Sequence, residues 1–288
     1  MYEITEKIEL SHSVYIFKVK AEKIAKKRKA GQFIIFRMNE QGERIPLTIM
    51  DSSNEDGTIS VLVQEVGKST GLLCGMEVGD HIADVVGPLG QPTHIEKFGT
   101  VVCVGGGIGT APVLPIAKSM KEAGNKVISI IGARTKELVI LEKEMEEAST
   151  ELHVTTDDGT YGHHGFVTTI LQKLIDDGVE IGCVVGIGPV PMMRAVAEVT
   201  RPYKIFTQVS LNPIMVDGTG MCGACRVTIG GENRFVCVDG PEFDGHEVDF
   251  AELTLRNRSY LKEEKIAMEE LTYHEGPRCY EKGDSDGR

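Results

Sequence analysis

The stretch Val101-Val-Cys-Val-Gly-Gly-Gly-Ile-Gly-Thr-Ala-Pro112 leads from four apolar residues through a glycine-rich turn into a helix-like segment. This order predicts a buried strand, a tight turn and a helix that reaches about Ala123. Backbone N–H groups at such a helix N-terminus suit a pyrophosphate. Because glycine often marks ordinary turns between a strand and a helix, that simpler interpretation remains open.

Beyond this stretch, apolar runs alternate with helix-like segments. Strands are predicted over residues 127–131, 152–156 and 183–187, and helices over residues 137–148 and 167–175. This alternation predicts a parallel sheet with helices on its faces, over residues 99–210. Three more segments lie where strands end, at the edge where open α/β sheets bind ligands. They are Gly132-Ala-Arg134, Asp157-Asp-Gly159 and Gly186-Ile-Gly-Pro189.

Residues 1–98 carry a β pattern instead. Short apolar runs separated by turn clusters predict a small barrel or sandwich. Within it, Arg44-Ile-Pro-Leu-Thr48 and Gly67-Lys-Ser-Thr70 offer groups that can hold a diphosphate and an apolar wall for a flat ring. Taken alone, a strand and a turn explain both segments. The basic run at residues 23–29 is interpreted as a solvated loop or helical turn, with a docking patch as the alternative.

A glycine- and cysteine-rich segment follows residue 211. Cys222 and Cys225 form a C-x-x-C pair, eleven residues separate Cys225 from Cys237, and four separate Asp217 from Cys222. This is the spacing of a plant-type [2Fe–2S] loop with Asp at its first ligand position. Two alternatives remain: a structural zinc site that uses Asp217 or His246, and a C-x-x-C redox pair with an unrelated cysteine.

The end of the chain is strongly charged. Residues 249–271 are predicted to be helical, either as a surface that docks a partner or as a solvated capping helix. The polar stretch from residue 274 is predicted to be loose. We therefore expect four segments, at residues 1–98, 99–210, 211–248 and 249–288.

Composition narrows the class of protein. The chain has 288 residues and a net charge of −12, which argues against nucleic-acid or anionic-membrane binding. Hydrophobic residues make up 41%, enough for a sizeable core. Seven cysteines cannot all pair within one chain. With no secretory signal or membrane span visible, a soluble cytoplasmic protein is expected.

Together these motifs resemble the ferredoxin-NADP reductase-like flavoproteins, in the branch with a C-terminal [2Fe–2S] loop. That branch includes the electron-transfer subunit of type B dihydroorotate dehydrogenase. It also includes the small subunit of the NADH-dependent reduced ferredoxin:NADP oxidoreductase, a bifurcating complex also known as a sulfide dehydrogenase. The Asp217 loop and the segment Glu43-Arg-Ile-Pro-Leu-Thr48 look most like the bifurcating complex, since the dihydroorotate branch normally has Cys at the position of Asp217.

The resemblance implies a β-barrel that binds FAD, an α/β parallel-sheet domain that binds NAD(H) and a small [2Fe–2S] loop subdomain. The residues it assigns to FAD are Arg44, Pro46, Leu47, Thr48, Leu62, Val63, Gln64, Gly67, Ser69 and Thr70. Those assigned to the nicotinamide nucleotide are Gly105, Gly106, Gly107, Ile108, Gly109, Thr110, Arg134, Asp157, Gly186, Gly188 and Pro189. Those assigned to the cluster are Asp217, Cys222, Cys225 and Cys237. No catalytic acid or base is assigned.

Two positions depart from the wider superfamily. The slot of its flavin-binding Arg is Ile45 here, and Arg44 lies one residue earlier. The cysteine of the reductases' C-G-P strand end is Ile187 here, while Cys183 lies deeper in its strand and is expected to be a buried apolar residue.

The function that the resemblance implies is hydride exchange between NAD(H) and FAD, coupled to single-electron transfer through the cluster. A larger redox subunit with its own flavin and [4Fe–4S] clusters is the expected partner, and it would be the subunit that meets ferredoxin. The alternatives are the electron-transfer subunit of dihydroorotate dehydrogenase, a self-sufficient reductase, and a nucleotide-binding module with a zinc clip.

Overall fold

The computed structural model describes the backbone of residues 1–274 and the side chains of residues 1–269. Within this part no helix is long and apolar enough to cross a membrane. The first unit is a seven-stranded antiparallel sheet that curls into a nearly closed barrel, in the strand order β6-β1-β2-β5-β4-β3-β7. Its elements are β1 Tyr2–Ser11, β2 Val14–Lys20, α1 Glu22–Ala25, β3 Phe33–Arg37, β4 Ile45–Ser53, β5 Thr58–Gln64, α2 Lys68–Gly75, β6 His81–Ile82 and β7 Asp84–Leu89.

The second unit is a sheet whose central strands are parallel and run in the order β11-β10-β9-β8-β12-β13. Its elements are β8 Thr100–Gly106, α3 Thr110–Glu122, β9 Lys126–Ala133, α4 Glu142–Ala148, β10 Glu151–Thr156, β11 His163–His164, α5 Val167–Asp176, β12 Cys183–Ile187, α6 Val190–Thr200 and β13 Phe206–Ser210. Short 3₁₀ turns cover Gly107–Gly109, Lys136–Leu138 and Arg201–Tyr203. The predicted alternation of strands and helices is therefore present.

One predicted helix is shorter than expected. Periodicity placed a helix over residues 137–148, but α4 begins only at Glu142. Leu141 adopts a left-handed backbone conformation, with φ of 56°, and its side chain is buried beside Ile140. Packing of these two side chains into the core therefore overrides the local helix pattern.

The C-terminal part starts with a two-stranded ribbon. Its elements are β14 Arg226–Ile229, β15 Glu232–Phe235, α7 Val236–Asp239, β16 Glu242–Asp244, α8 Phe250–Asn257 and α9 Leu261–His274. Strand β16 pairs antiparallel with β13 and becomes the edge of the parallel sheet. The cysteine-rich segment is thus hydrogen-bonded to the sheet of the second unit through β16. The helix predicted over residues 249–271 is two helices, and the loose tail predicted after residue 274 lies outside the described residues.

The units share cores rather than meeting through a linker alone. One buried cluster contains Ile16 and Leu62 of the barrel together with Ala111 and Leu114 of α3. Another joins Phe33 and Ile35 of the barrel to Met193 of α6 and to residues of the cysteine-rich segment. Burial of this continuous apolar surface fixes the three parts relative to one another.

Candidate functional site

The glycine-rich stretch forms the predicted turn between a strand and a helix. Gly105 and Gly106 end β8, Gly107, Ile108 and Gly109 form a 3₁₀ turn, and Thr110 starts α3. A Cβ atom at Gly109 would lie 2.3 Å from the carbonyl oxygen of Ile187, at the end of β12. Only glycine allows this approach, which brings the turn beside Gly188, and the first N–H groups of α3 that follow have no partner within the helix.

Other predicted nucleotide residues lie at the same edge. Arg134 follows β9 and Asp157 follows β10, and both side chains are exposed. The Asp157 N–H donates to the Ala133 oxygen at 3.0 Å, which holds the two strand ends together. The pKa of the neighbouring Asp158 is lowered, chiefly by the backbone N–H of Thr160. Gly186 lies in β12, while Gly188 and Pro189 precede α6, so the structure brings the predicted nucleotide set to one edge.

The predicted FAD residues occupy adjoining parts of the barrel. Pro46, Leu47 and Thr48 lie on β4, with Arg44 just before it, and all four are half-buried. Strand β4 pairs with β5, which carries Leu62, Val63 and Gln64. The chain leaves β5 through Gly67 into α2, whose first turn contains Ser69 and Thr70. The order of the two strands and the helix therefore gathers these residues along one side of the barrel.

The turn before α2 is held by its own hydrogen bonds. The Thr70 hydroxyl accepts the N–H groups of Val66 and Gly67, each at 3.0 Å. The Ser69 hydroxyl donates to the Glu43 carboxylate, a contact that sequence reasoning missed because the two residues are far apart in the chain. The N–H groups of the first turn of α2 have no partner within the helix, so they are available to a diphosphate.

In the cysteine-rich loop, Asp217 is engaged with the backbone. Its Oδ1 accepts the Thr219 N–H at 2.8 Å and its Oδ2 accepts the Cys222 N–H at 2.7 Å. The pKa of this half-buried carboxyl is lowered, chiefly by the Thr219 N–H. Each carboxylate oxygen has a second lone pair, so the bonds leave capacity for a metal and hold Asp217 beside Cys222.

Cys225 and Cys237 face each other in the core of the loop. Their Sγ atoms are 3.2 Å apart, well beyond the roughly 2.05 Å of a disulfide. Two thiolates at about 2.3 Å from one tetrahedral metal would be roughly 3.7 Å apart, so a small opening would admit a metal between them. Burial raises the pKa of the Cys237 thiol to about 12, and coordination would replace that proton. These thiols fit an iron–sulfur cluster.

The full ligand set is not drawn together. Cys222 is exposed while Cys225 and Cys237 are buried, and within the described residues no group of three or more His, Cys, Asp or Glu side chains is arranged to hold a metal ion. His246, the alternative zinc ligand, instead has its Nε2 2.9 Å from the Thr200 hydroxyl oxygen.

Sequence reasoning also missed contacts between the cysteine-rich segment and the link between the first two units. Gln91 donates its N–H to the Gly240 oxygen at 2.6 Å and its Nε2–H to the Val238 oxygen at 2.9 Å. The Thr93 hydroxyl donates to Glu242 at 2.7 Å. No local pattern signals these contacts, because about 150 residues separate the partners in the chain.

Comparison with known families agrees with this architecture. Residues 1–94 match the oxidoreductase FAD-binding domain, and residues 103–198 match the oxidoreductase NAD-binding domain. Residues 212–249 match the iron–sulfur cluster binding domain of dihydroorotate dehydrogenase B. The chain therefore contains binding domains for FAD, NAD and an iron–sulfur cluster, as the resemblance implied.

Similar proteins cover nearly the whole chain. The homologue of the dihydroorotate dehydrogenase B (NAD(+)) electron transfer subunit from Thermotoga maritima is 47% identical, over 93% of this chain and 94% of its own length. An uncharacterized protein of Clostridium beijerinckii is 46% identical, over 99% of this chain and all of its own.

A solved structure is similar over the same extent. A chain of the NADH-dependent reduced ferredoxin-NADP oxidoreductase, solved to study flavin-based electron bifurcation, superposes with a TM-score of 0.90. It is 44% identical and covers 94% of this chain and 98% of its own length. The protein is therefore an oxidoreductase chain that belongs to the family of dihydroorotate dehydrogenase B electron-transfer subunits and their homologues.

Proposed function

We propose that this chain exchanges a hydride between NAD(H) and FAD and passes single electrons through a [2Fe–2S] cluster to a larger partner subunit. The flavin, when bound, supplies the conversion between two-electron and one-electron chemistry. The protein's contribution is to bind and align these groups and to exclude water. In this proposal the FAD segment spans residues 1–98, the NAD(H) segment 99–210, the cluster segment 211–248 and a docking or capping segment 249–288.

The observation that carries the proposal is the contact between the cluster loop and the barrel. A Cβ atom at Gly218, next to Asp217, would lie 2.6 Å from Cγ1 of Ile35 on β3. Ile35 pairs directly with Pro46, one of the residues proposed for FAD. The loop thus sits on the strand beside the flavin segment, so a cluster there would lie close to the flavin.

The individual residues have distinct proposed roles. Arg44 and the first turn of α2 hold the FAD diphosphate, while Pro46 and Leu47 line the ring. Gly109 and Thr110 present the α3 N-terminus to the nucleotide pyrophosphate, and Arg134 and Asp157 meet the far end of the nucleotide. Asp217, Cys222, Cys225 and Cys237 ligate the cluster, in which a carboxylate is a harder ligand than a thiolate.

The partner is proposed to dock over the exposed side of the cluster loop. Cys222 is exposed, and the neighbouring residue Met221 is 87% exposed, so an apolar side chain next to a proposed ligand is accessible to a partner. Electrons that leave the cluster by the shortest path would leave here. The similarity to the bifurcating oxidoreductase favours a partner with a flavin and [4Fe–4S] clusters, through which ferredoxin would react.

A second candidate is the electron-transfer subunit of a dihydroorotate dehydrogenase, favoured by the names of the relatives. Native co-purification of the tagged full chain separates the two. We expect a flavin- and [4Fe–4S]-containing subunit, with ferredoxin-dependent reduction of NADP by the complex. Recovery of a dihydroorotate-oxidising subunit would assign the second function instead.

The docking surface can be tested in the same experiment. Met221→Asp should abolish recovery of the partner while cofactor content stays unchanged, because a charge would be buried in the interface. Val78→Asp is the control, since Val78 is also an exposed apolar residue but lies in the barrel. Equal recovery with both variants would exclude this surface.

A further inference from the structure

The carboxyl group of Glu242 lies buried where the three parts of the molecule meet. Its Oε1 accepts the Thr93 hydroxyl at 2.7 Å, whereas its buried Oε2 has no hydrogen-bond partner. A Cβ atom at Gly31 of the barrel would lie 2.7 Å from Oε1, so the barrel also closes on this group. A buried carboxylate oxygen without a partner is costly unless it carries a proton.

A second buried oxygen without a hydrogen-bond partner belongs to Gln208, on the same face of the sheet as Glu242. Glu242 pairs with Ser210 and Asp244 pairs with Gln208, so all four side chains project to one side of the β13–β16 pair. The buried Oε1 of Gln208 also lacks a partner. Such diagonal neighbours are within reach of long side chains, so a protonated Oε2 of Glu242 could donate to the Gln208 oxygen.

The charges around Glu242 favour the protonated form. Burial raises its pKa to about 7, against a smaller lowering by the Thr93 hydroxyl, and no basic side chain contributes. The titratable groups on the neighbouring strands are the buried thiols Cys103 and Cys183, whose pKa values are raised chiefly by burial and further by Glu242. Glu96, in the link between the first two units, also raises the pKa of Cys183.

The remaining titratable groups lie on or next to β16. The Asp244 carboxylate accepts the His246 N–H at 2.9 Å, and the His246 ring is turned to Thr200. Neither side chain is hydrogen-bonded to Glu242. The carboxyl group is therefore hydrogen-bonded to no charged side chain, and because its Oε2 is buried, a change of charge nearby is weakly screened.

Glu242 is also tied to the cluster loop. It follows Cys237 by five positions, a separation that an extended chain could stretch to at most about 18 Å. The chain is shorter here, because α7 coils part of the segment and Gly240 donates its N–H to the Val236 oxygen at 3.2 Å. Gln91 fixes the same segment through the Val238 and Gly240 oxygens.

We propose that Glu242 is a positioning residue that takes up a proton from solvent when the cluster held by the Cys237 loop gains an electron. This inference rests on the proposed function, since it requires the cluster. The electron adds a negative charge to the loop, and the proton on Glu242 offsets it. No bond other than the O–H bond forms.

The physical reason is linkage between two charges. A negative charge nearby raises the proton affinity of a carboxylate, and by reciprocity the bound proton favours reduction. Below about pH 7 the carboxyl is protonated in both redox states, so the cluster potential should not depend on pH there. Above this pH the oxidised chain releases the proton and the reduced chain keeps it, so the potential should fall as the pH rises.

The test is a redox titration of the cluster in the FAD- and iron-loaded full chain at a series of pH values, followed by electron paramagnetic resonance. The wild-type potential should fall above about pH 7, and that of Glu242→Gln should be independent of pH. Glu232→Gln is the matched control, because Glu232 lies in the same segment but is exposed and paired with Arg234. It should keep the wild-type pH dependence.

Two further measurements distinguish proton uptake from a structural role. Thr93→Val removes the hydrogen bond that stabilises the carboxylate, so the fall in potential should begin at higher pH. The reduced-minus-oxidised infrared spectrum above pH 7 should show a protonated carboxyl band that Glu242→Gln lacks. If Glu242→Gln fails to fold, the wild-type band and the Thr93→Val shift decide the question.

A wild-type potential that is independent of pH, or an unchanged slope in Glu242→Gln, would overturn the inference. A chain that takes up no iron–sulfur cluster would instead overturn the proposed function. The two failures are therefore distinguishable in one preparation.

Discussion

The nucleotide turn at residues 101–112 and the cluster loop at residues 217–237 are both rich in glycine, yet they are organised differently. In the first, β8 and α3 fix the backbone, and Gly109 fits against the Ile187 carbonyl. In the second, two thiols face each other while Cys222 remains exposed. The difference is that secondary structure fixes the backbone of the first region, whereas we propose that metal ligation orders the second.

Removal of the cluster should produce the largest effect. Cys225→Ser removes a buried thiol that is a proposed ligand, so we expect complete loss of the iron–sulfur signal, and amide exchange over residues 217–237 faster by roughly a hundredfold. Exchange over residues 101–112 should stay unchanged, as should NADH binding. Cys74→Ala is the control and should retain iron. An equal increase in amide exchange over both regions would contradict this difference between them.

Strand β16 follows the cluster loop and pairs with β13 of the parallel sheet. Its residue Glu242 should make the stability of the protein depend on pH. In the folded chain the Glu242 carboxyl stays protonated up to about pH 7, whereas in the unfolded chain it ionises near its usual value of about 4.3. The folded state therefore loses stability as the pH rises from about 4 to 7, by about 4 kcal/mol, and no more above that range.

Glu242→Gln removes this penalty. Its free energy of unfolding relative to wild type should therefore rise with pH and level off above about pH 7, as measured by urea denaturation. Exposed Glu232→Gln should show no such trend. A constant difference between Glu242→Gln and wild type from pH 5 to 8 would contradict the assignment.

A crowding substitution tests how rigid the nucleotide turn is. Gly109→Ala places a Cβ atom 2.3 Å from the Ile187 oxygen, so the strand end must move. We expect a loss of about 2 kcal/mol in stability and at least a tenfold loss of NADH affinity. Gly67→Ala is the control, because its φ is −152° and nothing lies within 4 Å of the added atom. Unchanged NADH affinity in Gly109→Ala would show that the turn adapts.

The turn before α2 offers the smallest expected effect. Thr70→Val removes the hydroxyl that accepts the Val66 and Gly67 N–H groups, which should cost about 1 kcal/mol and weaken FAD binding severalfold. Thermal unfolding and flavin fluorescence measure the two quantities. Thr48→Val, on strand β4, is the control for stability and should preserve the turn. A Thr70→Val variant with wild-type stability would mean that the turn does not depend on this cap.

Much of the fold could be predicted because its signals are local. The strand at residues 183–187 has the predicted bounds, since a run of buried apolar residues flanked by glycine is unambiguous. The interrupted helix before Glu142 and the edge strand β16 could not be predicted, because both depend on packing between distant segments. The same is true of Glu242, whose environment combines the barrel, the link and the parallel sheet.

For the site, the spacing of Asp217, Cys222, Cys225 and Cys237 pointed to a cluster, and the family comparison confirmed an iron–sulfur domain. Which atoms bind iron remains a prediction. The sequence could not reveal that the Asp217 carboxylate caps the loop backbone or that Ser69 contacts Glu43. Both contacts depend on how the folded chain brings the partners together, which their spacing in the sequence does not reveal.

The central claim is tested most directly by anaerobic titration of the purified full chain with NADH, followed by absorbance and electron paramagnetic resonance. The account predicts an FAD- and iron-containing protein in which NADH bleaches the flavin and the reduced-cluster signal appears, while in Cys225→Ser the flavin is bleached without that signal. A colourless protein that contains zinc and no flavin, or a flavin that NADH does not reduce, would contradict it.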